Sequence, residues 1–254
     1  RKKYNLCEVN FALEQIHRPT CLENVEIARN RLIFEELFLL QLALLSLRNR
    51  NFEEKTGIKF EDTDYTKFLE ILPFELTGAQ QRVVNEIVKD MGSVRPMNRL
   101  VQGDVGSGKT IVAALAMYVA VKNGYQATLM APTTILATQH YEELKKYFSH
   151  FGMTCDLLTG STTPKNKKII LEKLKNGEID ILIGTNALVS DNVEFKNCGL
   201  VITDEQHRFG VKQRMKLNAK GENPDVVVMT ATPIPRTLAL MVYSDLDMSI
   251  IDEL

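Results

Sequence analysis

The sequence predicts an α/β fold with a mostly parallel sheet flanked by helices, preceded by a helical connector. From residue 99 onward, short apolar segments of strand length alternate with segments of helix length. This alternation is typical of β-α units whose sheet is covered on both faces. Before residue 73 the chain instead carries one long segment with helical periodicity.

The N-terminal part predicts one long helix from about Glu23 to Arg50. Apolar residues there recur at alternating steps of four and three, which places them on one helix face. These residues are Ile33, Leu37, Leu40, Leu44 and Leu47. We interpret the segment as an amphipathic core helix; the alternative is a connector that packs against a neighbouring domain. The charged, aperiodic stretch Asn51–Ile71 is typical of a loop-rich linker, so we expect domains at residues 1–72 and 73–254.

The C-terminal part predicts up to seven strands with helices between several of them. The strand candidates are Arg99–Gln102, Ala127–Ala131, Cys155–Leu158, Ile179–Ile183, Leu200–Thr203, Val226–Met229 and Ser249–Ile251. The helix candidates are Lys109–Lys122, Ile135–Phe148 and Pro164–Lys175.

The composition is that of a globular protein that can build a sizeable core, with 44% hydrophobic and 25% charged residues in 254. A net charge of −1 excludes a global positive field, although a local basic cleft remains possible. Four scattered cysteines favour free thiols in a reducing compartment. The most apolar run falls well short of the ~20 residues that span a bilayer, so we expect a cytoplasmic protein with no membrane partner. The absence of a starting methionine suggests a piece of a longer chain.

The segment Gly103–Thr110 (GDVGSGKT) matches the phosphate-loop pattern G-x-x-x-x-G-K-[ST] between a predicted strand and a predicted helix. Its glycines allow turns that curl backbone N–H groups around phosphate oxygens. Lys109 supplies a cation for the β- and γ-phosphates, and Thr110 supplies a hydroxyl for Mg²⁺. The predicted cofactor-binding residues of this loop are Gly103, Gly106, Ser107, Gly108, Lys109 and Thr110. We therefore predict a nucleoside triphosphate and Mg²⁺ as cofactors.

A second segment supplies the acidic groups that such a site needs. An apolar strand ends in the adjacent carboxylates Asp204 and Glu205. Asp204 is expected to hold Mg²⁺ and Glu205 to polarise the attacking water. With Lys109, these two residues are the predicted catalytic set.

Three further segments each follow a predicted strand with small hydroxyl residues and free backbone N–H groups. They are Ala131–His140, Gly184–Leu188 and Thr230–Thr237. Open α/β sheets bind their ligands at the carboxyl ends of strands, and such groups suit a sugar–phosphate backbone.

In this order the motifs resemble the first motor lobe of superfamily 2 helicases, a RecA-like P-loop NTPase, and most closely the RecG-type ATP-dependent DNA helicases. The segments that carry the resemblance are Leu76–Gln80 (LTGAQ), Gly103–Thr110, Ala131–His140, Gly184–Leu188, Asp204–Val211 (DEQHRFGV) and Thr230–Thr237 (TATPIPRT). The resemblance covers most of the chain, including a connector at Ala28–Leu40 and a passage towards a second lobe at Asp245–Leu254.

The resemblance implies ATP as the nucleotide and assigns roles to further residues. Gln80 would read the adenine edge, and Phe74 could contact the base. The residues implied to couple nucleotide state to DNA grip are His207, Thr230 and Thr232. The residues implied to contact the DNA backbone are Thr133, Thr159, Gly160 and Thr185. The metal ligands remain Thr110 and Asp204.

RecG-type proteins remodel branched DNA at stalled forks and Holliday junctions, so the resemblance implies branched DNA as the partner. They also need a second RecA-like lobe and a wedge domain; we expect the second lobe to lie outside this sequence and the wedge domain to be largely missing from it, with residues 1–72 as the connector from the wedge region. A missing arginine finger costs roughly 10³–10⁵ in rate in related enzymes. We therefore expect this chain to bind ATP weakly, to hydrolyse it slowly and to unwind nothing.

Three alternatives stay open. The transcription–repair coupling motor shares similar motifs, although Gln206 and the helical connector favour the RecG type. A P-loop small-molecule kinase would require neither the Thr230–Thr237 segment nor adjacent carboxylates. A nucleotide-binding interaction module without turnover is the third.

Other polar residues receive structural interpretations. His17, His140 and His150 are interpreted as structural or surface histidines. A basic cluster on the predicted helix near residue 170 is interpreted as a solvated helix face, with a DNA-facing patch as the alternative. Its members are Lys165, Lys167, Lys168, Lys173 and Lys175.

Overall fold

The computed structural model describes residues 2–54, 56–205, 211–232 and 246–253. The described residues fall into two compact units, one up to Glu53 and one from Glu54 onward. No helix within these ranges is both long and apolar enough to cross a membrane. The described cysteines are free thiols, as the sequence predicts.

The first unit is helical. The α-helices among its described residues are α1 (Val9–His17) and α2 (Leu22–Glu54), which confirms the long helix predicted from periodicity. The predicted apolar face, however, is open: Ile33 is 43% exposed, Leu37 39% and Leu40 45%. The interpretation as a core helix is therefore wrong for these three residues, because the described chain does not cover them. Packing against a neighbouring domain stays a prediction.

The second unit is built on a seven-stranded sheet. The strands are β1 (Asn98–Gly103), β2 (Gln126–Met130), β3 (Cys155–Leu158), β4 (Ile181–Gly184), β5 (Cys198–Asp204), β6 (Asp225–Thr230) and β7 (Asp247–Ile251). They lie in the order β3-β4-β2-β5-β6-β1-β7, and every pair is parallel. The predicted α/β fold with a mostly parallel sheet is confirmed.

Six α-helices among the described residues of this unit precede β1 or lie between the strands. They are α3 (Thr66–Glu70), α4 (Gly78–Met91), α5 (Lys109–Lys122), α6 (Thr134–Ser149), α7 (Pro164–Asn176) and α8 (Val211–Asn218). Helix α5 is apolar and buried from Ile111 to Ala120, so it is the central helix of the core. The lysines of α7 are exposed or half-buried, and their interpretation as a solvated face rather than a DNA-facing patch stays a prediction.

The stretch expected to be a loop-rich linker takes part in the core. Phe68 on α3 is fully buried and contacts the rings of Tyr118, Phe148 and Phe151. The linker interpretation is wrong for Phe60 and Phe68, because both aromatic side chains are buried in the core. The packed unit begins at Glu54, while the domain boundary predicted at residue 73 stays a prediction.

The two faces of the sheet bury different helices. Val101 and Ile202 pack in one cluster with α4, α5 and α6. Their neighbours Leu100 and Val201 point to the opposite face and pack with α7 and α8. This alternation follows from the two-residue period of a strand. The inner strands β2, β4, β5 and β6 are therefore buried on both faces, and the functional polar residues lie at strand ends.

One fully buried carboxyl group lies at the amino end of its strand, at the edge of the sheet opposite the functional loops. Asp225 at the start of β6 is fully buried, and its Oδ1 accepts a hydrogen bond of 2.7 Å from the Met97 backbone N–H. Its Oδ2 has no partner among the described residues. Burial raises the pKa of Asp225 to about 8.

We predict that Asp225 makes stability decrease as pH rises. An unfolded Asp has a pKa of about 3.9, so between about pH 4 and 8 the folded state holds a proton that the unfolded state has lost. The stabilisation is full below that window and is lost as pH rises through the folded pKa, by at most ~1.4 kcal/mol per pH unit. Asp225→Asn keeps the acceptor oxygen and removes the ionisation.

Urea unfolding of the wild type and Asp225→Asn from pH 4.5 to 9 measures this effect. The wild type should lose stability relative to the variant with rising pH, whereas the exposed control Glu222→Gln should follow the wild type. Parallel pH profiles for wild type and Asp225→Asn would contradict the prediction.

Candidate nucleotide-binding site

The phosphate loop joins β1 directly to the central helix α5. Gly106 and Gly108 adopt φ of +86° and +79°, a region that side chains rarely enter. A Cβ at Gly103 would overlap the Ser107 hydroxyl, and a Cβ at Gly108 would overlap the Gln80 amide. A side chain at either position would therefore have to displace the neighbouring side chain that packs against the loop.

Ser107 leaves an unpaired polar atom inside this loop. The residue is 1% exposed, and its Oγ has no hydrogen-bond partner among the described residues. A buried polar group without a partner is costly unless a ligand or water completes it. The Ser107 hydroxyl is thus available to bind a ligand that enters the loop.

Lys109 closes the loop on itself. Its Nζ donates hydrogen bonds of 2.7 Å to the carbonyls of Gly103 and Asp104. Burial lowers the pKa of Lys109, and the charges of Asp204, Glu205 and Asp104 oppose that shift. The amine therefore lies among loop carbonyls and close to the acidic pair, where an incoming phosphate can exchange for the carbonyls.

Asp104, for which the sequence provides no role, orders the same loop. Its Oδ1 accepts a hydrogen bond of 2.8 Å from the Val105 backbone N–H. This local bond holds the turn that precedes Gly106.

Gln80 ties α4 to the phosphate loop. Its Oε1 accepts from the Thr77 N–H at 3.0 Å in a capping box, and its Nε2 donates to the Ser107 carbonyl at 2.9 Å. The residue is 7% exposed. Both ends of the amide are engaged within the protein, so contact with adenine requires one of these bonds to exchange. The adenine-reading role of Gln80 stays a prediction, as does base contact by half-exposed Phe74.

The acidic pair lies at the end of β5. Asp204 is the last residue of the strand, and Glu205 adopts a left-handed φ of +52°. Such backbone conformations are uncommon outside glycine and collect at functional sites. The Glu205 Oε1 accepts a hydrogen bond of 3.1 Å from the Ala231 N–H in the loop after β6. The two loops that follow β5 and β6 are thus joined through the predicted base.

His140, interpreted from the sequence as structural or surface, lies in the site. Its Nε2 is 3.0 Å from the Asp204 Oδ2, and both residues are 8% exposed. The sequence carries a weak signal for this position. His140 falls four residues from both Leu136 and Leu144, on the inward face of α6.

The cleft between these elements has a volume of about 720 Å³. Ligand pockets usually measure about 300–1,000 Å³, so the cleft has the right size for a nucleotide. The lining residues are Phe74, Glu75, Thr77, Gln80, Val105, Gly106, Gly108, Lys109, Thr110, Ile111, Leu136, Gln139, Glu143, Asp204, Glu205, Met229 and Ala231. The structure therefore brings the predicted adenine, phosphate, metal and base residues together.

The predicted coupling residues are described only in part. The hydroxyls of Thr230 and Thr232 lie 2.7 Å apart in the loop after β6, beside the Glu205 contact. His207 lies outside the described residues, and so does the Pro233–Thr237 part of the segment that begins at Thr230.

The four predicted DNA contacts occupy the loops after β2, β3 and β4, which are neighbours in the sheet. Exposed Thr133 caps α6 by accepting from the Leu136 N–H, and Gly160 faces open space. Thr159 is buried and bonded to Ser161, and Thr185 is half-buried. Their contact with DNA stays a prediction.

Known proteins are similar to this chain in sequence and in fold. A comparison with protein families matches residues 77–241 to the family described as "DEAD/DEAH box helicase". The chain is 52% identical to "ATP-dependent DNA helicase RecG" of Bacillus subtilis (strain 168), over 100% of the chain and 38% of the relative. It is 51% identical to the protein of the same description from Thermotoga maritima, over 100% of the chain and 33% of the relative.

Solved structures give the same result. "Structure of RecG bound to three-way DNA junction" superimposes with a TM-score of 0.85 at 47% identity, covering 100% of this chain and 34% of that one. The bacteriophage T4 UvsW helicase matches at a TM-score of 0.55 and 18% identity, over 76% of this chain and 68% of that one, and supports the fold alone. The RecA-like fold is confirmed, and the chain spans about a third of the RecG relatives' length.

We predict that Gly108→Ala weakens nucleotide binding while Gly124→Ala does not. Both glycines have φ of +79°, so both variants carry the same backbone strain of ~1–2 kcal/mol. Only at position 108 does the added Cβ meet Gln80, whereas nothing lies near Gly124. Loss of the buried Gln80–Ser107 bond should lower ADP affinity ~10-fold or more.

Calorimetric titration of Mg-ADP into the two variants, with thermal unfolding measured alongside, provides the comparison. Equal ADP affinity in both variants would show that the Gln80 contact is irrelevant to the loop.

Proposed function

Because the chain belongs to the DEAD/DEAH box helicase family, we propose that it is the first motor lobe of an ATP-dependent DNA helicase that remodels branched DNA. The observation that carries the proposal is that three motif-bearing loops follow three neighbouring strands at the same edge of the sheet. The phosphate loop follows β1, the acidic pair follows β5, and the Thr230–Thr232 segment follows β6, which lies between them. A small-molecule kinase requires no such third loop, and the family match disfavours that alternative.

The site fits ATP with Mg²⁺. On binding, Lys109 exchanges its contacts with the Gly103 and Asp104 carbonyls for the β- and γ-phosphates, and the Ser107 hydroxyl gains a partner. Thr110 and Asp204 line the same cleft and would hold Mg²⁺, which supplies charge neutralisation for the phosphates. Within the described ranges, no group of three or more His, Cys, Asp or Glu side chains is arranged to hold a metal ion by itself. Phosphate and water would therefore complete the Mg²⁺ coordination.

Glu205 is the proposed general base. Its carboxylate is oriented by the Ala231 N–H, and it lines the cleft beside Lys109 and Asp204. It accepts the proton of the attacking water, and loss of such a base typically costs 10²–10⁴ in rate. The hydrogen bond from the Ala231 N–H joins Glu205 to the Thr230–Thr232 loop. A movement of Glu205 at the γ-phosphate would therefore move this loop, which fits the proposed coupling roles of Thr230, Thr232 and His207.

Branched DNA is the proposed partner of the whole protein. RecG in the matched structure is bound to a three-way DNA junction, and the loops after β2, β3 and β4 offer Thr133, Thr159, Gly160 and Thr185 to the backbone. A second RecA-like lobe and a wedge domain of the full-length protein are proposed to complete the motor. The proposed location is the cytoplasm. The RecG descriptions of its relatives at about 50% identity favour this type over the transcription–repair coupling motor.

For the chain on its own, nucleotide binding with little turnover is the proposed behaviour. An arginine finger is worth roughly 10³–10⁵ in rate in related enzymes, and the second lobe is proposed to supply it. The single lobe is thus proposed to act as a nucleotide-binding module without turnover, and the full-length protein as a motor.

We predict that Glu205→Gln abolishes DNA-stimulated ATP hydrolysis in the full-length protein and keeps Mg-ATP binding. The amide oxygen still accepts from the Ala231 N–H, so the loop is held, but it cannot take a proton at neutral pH. Turnover with a three-way junction should drop by at least ~10²-fold. The exposed control Glu142→Gln should keep the wild-type rate.

A phosphate-release assay with junction and linear duplex DNA measures both effects. Wild-type turnover that neither DNA stimulates would contradict the motor, and full activity in Glu205→Gln would contradict the assignment of the base.

A further inference from the structure

The carboxyl edge of the sheet has two halves. The nucleotide loops follow the neighbouring strands β5, β6 and β1, and the loops proposed to contact DNA follow β3, β4 and β2. Helix α6 begins in the second half, where Thr133 caps it. Seven residues further along α6, or about 10 Å, His140 reaches Asp204 in the first half.

The His140–Asp204 contact is buried and specific. A carboxylate only accepts, so the ring nitrogen 3.0 Å from the Asp204 Oδ2 must carry the hydrogen. His140 is therefore an Nε2–H donor that occupies one oxygen of the carboxylate and leaves the other for a cation. Histidines that bind metals directly use the same arrangement in reverse, with a carboxylate fixing the imidazole.

Packing alone does not account for this histidine. Its Nδ1 is buried and has no partner among the described residues. If the imidazole only filled space, desolvation of that nitrogen would destabilise the fold and no hydrogen bond would compensate for it. An apolar side chain would fill the same space at lower cost, so the bond to Asp204 is what distinguishes histidine here.

The helix that carries His140 is firmly held. Leu144 and Phe148, one and two turns further on, are fully buried in the core. Leu136, Gln139 and Glu143 on the same helix line the nucleotide cleft. The donor is therefore presented from a fixed element, as a positioning group must be.

We propose that His140 is a positioning residue that orients the Asp204 carboxylate for the divalent cation of the bound nucleotide. This inference rests on the proposed function, because it assumes that Asp204 holds Mg²⁺. The His140 N–H fixes the rotation of the carboxylate and so presents the other oxygen to the metal. Without it, the carboxylate turns freely and the cation is bound more weakly.

The test uses Mn²⁺ as a spectroscopic stand-in for Mg²⁺, with ADP as the nucleotide. Bound and free Mn²⁺ are separated by electron paramagnetic resonance in the wild type, His140→Ala, His140→Gln and His140→Asn. His140→Ala should weaken Mn²⁺ binding ~10–100-fold, the usual effect of removing a partner that orients a ligand. His140→Gln should restore most of the affinity, since its longer amide places an N–H near the Nε2 position, whereas the shorter His140→Asn should not.

Two controls separate positioning from general damage. ADP affinity in EDTA should be the same in every His140 variant, because a purely structural role would change it along with the metal affinity. His150→Ala, at the exposed end of the same helix, should leave Mn²⁺ affinity unchanged.

The outcomes are distinct. Mn²⁺ affinity within about two-fold of the wild type in both His140→Ala and His140→Asn would overturn the role of His140 and leave the nucleotide site standing. Equal losses in the Gln and Asn variants would overturn the hydrogen bond as the cause, even if the Ala variant fails to fold. A wild-type chain that binds no Mn-ADP would instead overturn the proposed function.

Discussion

Parallel pairing of all seven strands is the constraint on which the rest of the described site depends. Parallel strands end at the same edge of a sheet, so loops that are far apart in sequence meet there. Gly103, Asp204 and Thr230 end the three neighbouring strands β1, β5 and β6. Because β5 and β6 are buried along their whole length and β1 along most of it, polar side chains are tolerated chiefly at these ends. The core thereby determines where the chemistry can lie.

Within that edge, charge and hydrogen bonding hold the site in a ready form. Lys109 is held on two loop carbonyls in the neighbourhood of Asp204, Glu205 and Asp104, so it compensates acidic charge before any phosphate arrives. Gln80 and Ala231 tie the loop and the base to neighbouring elements. Such preorganisation reduces the reorganisation needed when a nucleotide binds. The site is therefore a network in which each contact orients the next.

The sequence predicted the sheet, the central helix and the phosphate loop, because these follow from local patterns of apolar residues and glycines. Contacts between residues far apart in the chain could not be predicted from these local patterns. Phe68 looked like part of a polar linker, and its contacts come from α5 and α6, far along the chain. His140 was missed for the same reason, since its partner Asp204 lies 64 residues away. The open face of α2 shows the converse: periodicity predicts a helix face but does not supply the surface that covers it.

The central claim is that the loop between β1 and α5 is a working nucleotide site in this chain. Calorimetric titration of Mg-ATP and Mg-ADP into the wild type and Lys109→Ala tests it most directly. The account predicts saturable heats for the wild type and loss of binding in the variant, whose thermal unfolding should stay close to the wild type. Identical heats from both proteins would contradict the claim, because the amine on the Gly103 and Asp104 carbonyls would then contribute nothing to the bound phosphate.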